Sequence, residues 1–129
     1  MVSSCEELIL GGINRKPLAM GLLTDKYREN SVLPIDDVRG SKSPDWLKYL
    51  KNGQPAPEWL EKADKIKDIL ASDGRTVIQG VLAWLWGRSD KLIQIFGIRT
   101  VKQAKENCAA MQFCPLSVAQ MQEIEHQIL

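Results

Sequence analysis

The sequence predicts an α/β fold, and three observations carry the prediction. Two short apolar runs rich in β-branched residues, Ile9 to Asn14 and Leu92 to Phe96, read as buried strands. Two helical patterns lie between them, and a helical crossover is what two parallel neighbours need. The second of these patterns, Gly74 to Arg88, is apolar on nearly all sides, as a helix is when it sits between a sheet and other helices. A sheet of only two strands would expose both edges, so this pair calls for further strands or a partner.

In chain order, Ser3 to Leu8 reads as the last turns of a helix, and the first strand follows. Pro17 cannot donate to a sheet ladder, so the strand has ended by then. Residues 28–57, with Pro34, Gly40, Pro44, Gly53, Pro55 and Pro57, form a long irregular segment of the kind that is usually functional. Within it Ser43 as a cap, Pro44 and Asp45 predict one helical turn through Trp46, Leu47 and Leu50. Pro57 to Leu70 is amphipathic, with Trp59, Ala63, Ile66 and Leu70 on one face. Ser72-Asp73-Gly74 breaks it. In the apolar helix that follows, Gly80 and Ala83 are small where a neighbour must come close, and Trp84 and Trp86 read as core. The last helix, Ser117 to Leu129, opens on a capping-box pair, Ser117 and Gln120.

Length and composition bound the function. One domain fits in 129 residues, and 44% apolar with 26% charged residues is a globular balance. Seventeen basic against sixteen acidic residues leave +1, so no basic field drives nucleic-acid or membrane-surface binding. That balance, with the buried character of Val77 to Leu85, also argues against a helix-turn-helix. The longest apolar run, Val77 to Trp86, is too short to span a bilayer. Met1 to Leu10 carries Glu6 and Glu7 and lacks the basic start of a signal peptide, which points to the cytoplasm. Cys5, Cys108 and Cys114 have no metal-binding spacing and suit a reducing compartment, where they read as small buried fillers, the alternative being exposed thiols. His126 has no second histidine beside it, and no metal site is expected.

The most informative stretch is Leu92 to Asn107. Gly97 stops the apolar run and lets a backbone come close. Thr100 then sits at an N-cap position with Gln103 three residues on, opening a helix from Val101 to about Met111. A strand, a glycine, an arginine and a helix N-terminus together suit a phosphate, because free N–H groups and the helix dipole attract the anion and Arg99 can fork onto its oxygens. The alternative is an ordinary βα junction with a solvated Arg99.

The pattern Gly97-x-Arg99-x-x-x-Gln103-x-x-Glu106-Asn107 after a strand resembles the last strand and following helix of aldo-keto reductases. That resemblance implies that these residues clamp the adenosine 2′-phosphate and adenine of NADP(H). Most relatives read Ile-Pro-Ile-Pro-Gly where this chain has Ile93-Gln94-Ile95-Phe96-Gly97. Upstream, Pro17-Leu18-x-x-Gly21-Leu22-Leu23-Thr24-x-Lys26-Tyr27 resembles the signature after the seventh barrel strand, and Asn14-Arg15 with Pro17 to Leu23 is similar to a bacterial subgroup. The resemblance implies that Lys16, Pro17, Leu18, Gly21 and Lys26 belong to a loop around the cofactor's pyrophosphate. Lys16 stands where a small residue is usual, and Asp25 where a glycine is. Lys16 can act as a point charge there, and Asp25 would repel an anion if it faced the same way. Residues 28–57 would then be a cofactor-side loop with Arg39 on the pyrophosphate. The other reading, a surface Arg39 paired with Asp36 or Asp37, stays open.

By this resemblance the chain looks like the C-terminal part of a (β/α)₈ barrel over 1–129, with both motifs at strand ends where such barrels hold phosphate. The family's catalytic Tyr, Lys and Asp match no position, since Tyr27 and Tyr49 lie elsewhere in the pattern. The implied activity, hydride transfer from NADP(H) to an aldehyde or ketone, would therefore need an N-terminal half that this chain lacks. The chain alone is expected to be inactive and to associate with itself or with a complementing chain. The alternative is a non-catalytic nucleotide-binding or self-associating module.

Overall fold

The computed structural model describes residues 2–128. Helix α1 (Val2–Glu7) leads into strand β1 (Gly12–Arg15), and a 3₁₀ segment follows at Ala19–Thr24. Short strands β2 (Leu50–Lys51) and β3 (Gln54–Pro55) precede α2 (Pro57–Leu70) and α3 (Val77–Arg88). Strand β4 (Leu92–Ile95), α4 (Val101–Ala109), a second 3₁₀ turn (Ala110–Phe113) and α5 (Val118–Ile128) complete the chain. The class is α/β. β1 and β4 pair in parallel, Gly12 with Leu92 through Arg15 with Ile95, and helices surround them, as in part of a (β/α)₈ barrel.

The first strand is shorter and later than its apolar run. Ile9 does not begin β1; it ends α1 in the left-handed conformation (φ 54°). Its N–H donates to the Glu6 carbonyl at 3.3 Å and that of Leu10 to Cys5 at 2.8 Å, the two bonds of a Schellman stop. A helix end thus claims the apolar residues that patterning gives to a strand. Nor are the strands buried: Ile13, Ile93 and Ile95 are 66%, 61% and 53% exposed, and the buried residue of β4 is Gln94. Alternate side chains point to opposite faces. Only the face carrying Gln94 is covered.

The expected helical turn at Ser43 is absent. Pro44 accepts a turn bond from Leu47, and the chain runs on into a hairpin, β2 with β3, closed by Asn52 and Gly53 at φ 53° and 77°. Asn-Gly is the strongest short hairpin signal, and it was there to be read. Helix α2 keeps its expected bounds, with Pro57 in its first turn. α3 begins three residues later than expected because Thr76 and Gln79 form a reciprocal capping box, while Gly74 lies in the preceding turn at φ 79°.

The core lies in the helical layer. Ile66 and Leu70 of α2 meet Val81, Ala83 and Leu85 of α3, Ile124 of α5, and Leu116. Gly80 is obligatory here: a Cβ on it would lie 2.0 Å from the Leu70 carbonyl oxygen. Trp84 and Trp86 are half-buried at the margin. The cysteines are not buried fillers either, since Cys108 is exposed and Cys5 and Cys114 are partly covered. Burial raises the Cys114 thiol pKa. His126 lies exposed in the last turn of α5.

Candidate functional site

Parallel strands end on the same side of a sheet, so the loops after β1 and β4 emerge together. They enclose an open cleft of about 730 Å³. Nine of the eleven residues singled out from the sequence line it: Lys16, Pro17, Leu18, Gly21, Lys26, Arg39, Gly97, Arg99 and Gln103. Glu106 and Asn107 do not. They sit a turn further along α4, where the Glu106 carbonyl accepts a bond from the Gln79 side chain of α3 (3.2 Å) and Asn107 is buried.

Behind β1 the chain turns through a run of left-handed residues, Lys16, Ala19, Met20 and Gly21, with Asp25 to follow. Such a backbone needs holding. Arg39 supplies most of the hold. Its Nε and Nη2 donate to the two Asp37 carboxylate oxygens at 2.8 and 2.6 Å. Its Nη1 donates to the Met20 carbonyl and to the Tyr27 hydroxyl, both at 2.8 Å. Arg39 thus pairs with Asp37, and four of its five N–H donors are engaged by the chain itself. The Arg39 guanidinium in turn holds the Asp37 carboxyl well below the usual carboxylate range.

Lys16 is also engaged. Its ammonium lies 4.1 Å from the ring centre of Trp46, a contact across thirty residues that brings residues 28–57 down over the β1 loop. Asp25 does not face the cleft. It takes the left-handed conformation (φ 58°) and turns its carboxylate to Lys67 at 2.9 Å and Arg28 at 3.0 Å. The hydrogen bond from Lys67, then that from Arg28, lowers its pKa. The anion-repelling group that the sequence raised as a difficulty is therefore neutralised on the outer side.

The β4 side is barely tied. Gly97, Ile98 and Arg99 are exposed. The Thr100 hydroxyl accepts from the Gln103 N–H at 3.1 Å, and the Gln103 side chain accepts from the Arg99 N–H at 2.8 Å. The reciprocal cap thus reaches one residue further back than a standard capping box, which closes on the cap residue itself. The Arg99 guanidinium is solvent-facing, and no hydrogen bond or ion pair holds it among the described residues. A Cβ on Gly97 would meet nothing within 4 Å.

Four cations (Lys16, Lys26, Arg39, Arg99) and two carboxylates (Asp36, Asp37) line the cleft. Asp37 is committed to Arg39, so the balance favours an anion. Sequence reasoning missed Met20, Thr24, Pro34, Asp36, Asp37, Val38 and Phe96 as lining residues, and Trp46 and Tyr27 as supports. Only Asp36 to Arg39 carried a local signal, because the remaining contacts are made across loops. No group of three metal-binding side chains, and no helix long and apolar enough to cross a membrane, occurs among the described residues.

Compared with known proteins, residues 1–128 match a family model described as the aldo/keto reductase family. No curated protein matches the chain.

Proposed function

The chain belongs to the aldo/keto reductase family of oxidoreductases, and on that premise we propose that its cleft is an NADP(H) site. The residues fit the group. A volume of about 730 Å³ lies within the usual range for cofactor pockets, the cations outnumber the carboxylates, and Gln103 in the first turn of α4 lines it. In this reading Arg99 forks onto the 2′-phosphate, with Gln103 holding the turn in which Arg99 sits. Lys16, Pro17, Leu18, Gly21 and Lys26 follow the pyrophosphate, and Arg39 keeps their loop in shape from below. Glu106 and Asn107 serve from behind by seating α4 against α3.

When bound, the cofactor supplies a hydride for reduction of an aldehyde or ketone. This chain's residues bind and orient. Tyr27 is bonded to Arg39 and Tyr49 packs edge-on against Trp59 at 5.7 Å, so we assign neither as a general acid. Proton transfer and the carbonyl pocket then require residues outside this sequence, and the chain by itself is inactive. A cytoplasmic setting belongs to the same reading.

The observation that carries the proposal is the convergence of two loops, eighty residues apart, that each hold a family motif. A fluorescence titration tests it, with Trp46 beside Lys16 as the reporter. NADPH should bind more tightly than NADH. Arg99→Ala should abolish that preference, at about 1.5–3 kcal/mol for a charge-assisted bond. Equal affinities in the unmutated chain would remove Arg99 from the site.

A further inference from the structure

Gln79 is a buried polar residue, 8% exposed, that takes no part in lining the cleft. Its side-chain amide serves two helices at once. Oε1 accepts from the Thr76 N–H at 2.9 Å, which closes the capping box of α3. Nε2 donates to the Glu106 carbonyl of α4 at 3.2 Å. The cap needs only the acceptor, since glutamate closes such a box as well as glutamine. The donor is surplus to α3, and its use lies in α4.

The Glu106 carbonyl is free to accept because α4 tightens where it ends. The Ala110 N–H bonds back to Asn107 and not to Glu106, one residue earlier. A helix leaves its last carbonyls without donors of its own, and Gln79 satisfies one of them. Asn107, the next residue along, is buried at 3% exposed. The last turn of α4 is thus fastened to the first turn of α3.

The other end of α4 meets the cleft. There the Arg99 N–H is held by the Gln103 side chain and the Gln103 N–H by the Thr100 hydroxyl. The Arg99 guanidinium has no partner among the described residues, so its place is set through the first turn of α4. A helix of nine residues moves as a rod, and fixing its last turn fixes where its first turn stands.

We propose that Gln79 is a positioning residue for ligand discrimination at Arg99: its bond to Glu106 sets α4 so that the Arg99 guanidinium meets the 2′-phosphate. The inference rests on the cofactor reading and deepens it. Gln79 touches no ligand and acts through α4 alone. A charge-assisted fork depends on direction as well as distance, so a small swing of α4 weakens the grip on the 2′-phosphate. Contacts made by the loop after β1 are left as they were, because Gln79 has no bond to that loop.

Titrating the full chain with NADPH and with NADH gives the ratio of the two affinities, in which NADH serves as the internal control. Gln79→Glu keeps the acceptor that caps α3 and removes the donor to α4, setting a carboxylate against the Glu106 carbonyl. Its preference for NADPH should fall at least about fivefold, part of what a charge-assisted bond supplies, with NADH affinity nearly unchanged. Gln79→Met, uncharged and of similar length, should do the same and serves if the carboxylate prevents folding. Thr76→Ala weakens the α3 cap but leaves the tie; it should lower the unfolding temperature and keep the ratio. A preference unchanged in the Gln79 variants, or an equal loss for both cofactors, would overturn the role of Gln79 and leave the cofactor site standing. So would an equal fall of the ratio in Thr76→Ala, since the cap and not the tie would then be responsible. No binding or no preference in the parent chain would overturn the cofactor reading and this inference with it.

Discussion

The two loops that form the cleft are built in opposite ways. The loop after β1 bends through five left-handed residues and is tied at several points: Arg39 to Met20 and Tyr27, Lys16 to Trp46, and Asp25 to Lys67 and Arg28. The loop after β4 has ordinary backbone, exposed side chains, and little besides the Thr100–Gln103 cap to hold it. A strained loop must be over-determined by its surroundings, whereas an unstrained one can leave its groups free for a ligand. The first loop is therefore a shaped wall whose charges are largely spent within the protein. The second keeps an uncommitted guanidinium and is the one from which discrimination between ligands should come.

The sharpest way to break that contrast is Arg39→Ala. It leaves the Met20 carbonyl and the Asp37 carboxylate without their donor, at an expected cost of about 2–3 kcal/mol for half-buried, charge-assisted bonds. Faster amide exchange across residues 19–27, with α2 and α3 unchanged, checks that the loss is local. The same pair gives a pH dependence. Asp37 is depressed below its ordinary 3.8, so its stabilisation is complete above that value and is lost as pH falls through the lower folded value. The acid weakening of this loop should therefore lie below about pH 3.8 in the parent and vanish in Arg39→Ala.

Paired glycine substitutions sharpen it next. Gly21 sits at φ 98°, and a Cβ there would meet the Tyr27 ring at 3.2 Å and the Arg39 guanidinium at 3.4 Å. Gly21→Ala should cost about 1–2 kcal/mol in thermal or urea unfolding. Gly97 has neither a positive φ nor a neighbour, so Gly97→Ala should leave stability within about 0.5 kcal/mol while weakening NADPH binding in the titration. If both glycines cost the same in the free protein, the two loops are not built differently.

The same contrast explains what could be read from sequence. Gly97, Thr100 and Gln103 act within a few residues of one another, so spacing alone disclosed the β4 loop and its helix cap. Helix α2 was legible because its stripe and its Pro57 are local too. Arg39 was ambiguous because Asp36 and Asp37 are adjacent in the chain, while Met20 and Tyr27, which make it a tie, are nineteen and twelve residues away. Trp46 on Lys16 left no trace in the pattern. The strands were misjudged for another reason: apolar alternation states which residues need cover, and here that cover is missing from Ile13, Ile93 and Ile95. Ile9 failed differently, as a β-branched residue occupying a helix-terminating conformation that patterning assigns to glycine or asparagine.

Asp25 offers the smallest and most discriminating effect. Its left-handed backbone favours glycine, and Asp25→Gly should recover part of a strain of order 1 kcal/mol. Against that stands the loss of two ion pairs. Arg28 is largely exposed and Asp25 and Lys67 are each about a third exposed, so together these pairs are worth on the order of 0.5–1 kcal/mol. The two terms oppose and nearly cancel, leaving a net change within about 0.5 kcal/mol. Asp25→Asn separates them, because asparagine tolerates the left-handed region but carries no charge. It should be slightly destabilising at low salt and close to neutral in concentrated salt, where the ion pairs are screened. A destabilisation of both variants well above 1 kcal/mol, insensitive to salt, would mean that Asp25 pins the loop to α2 as firmly as Arg39 pins it from the other side.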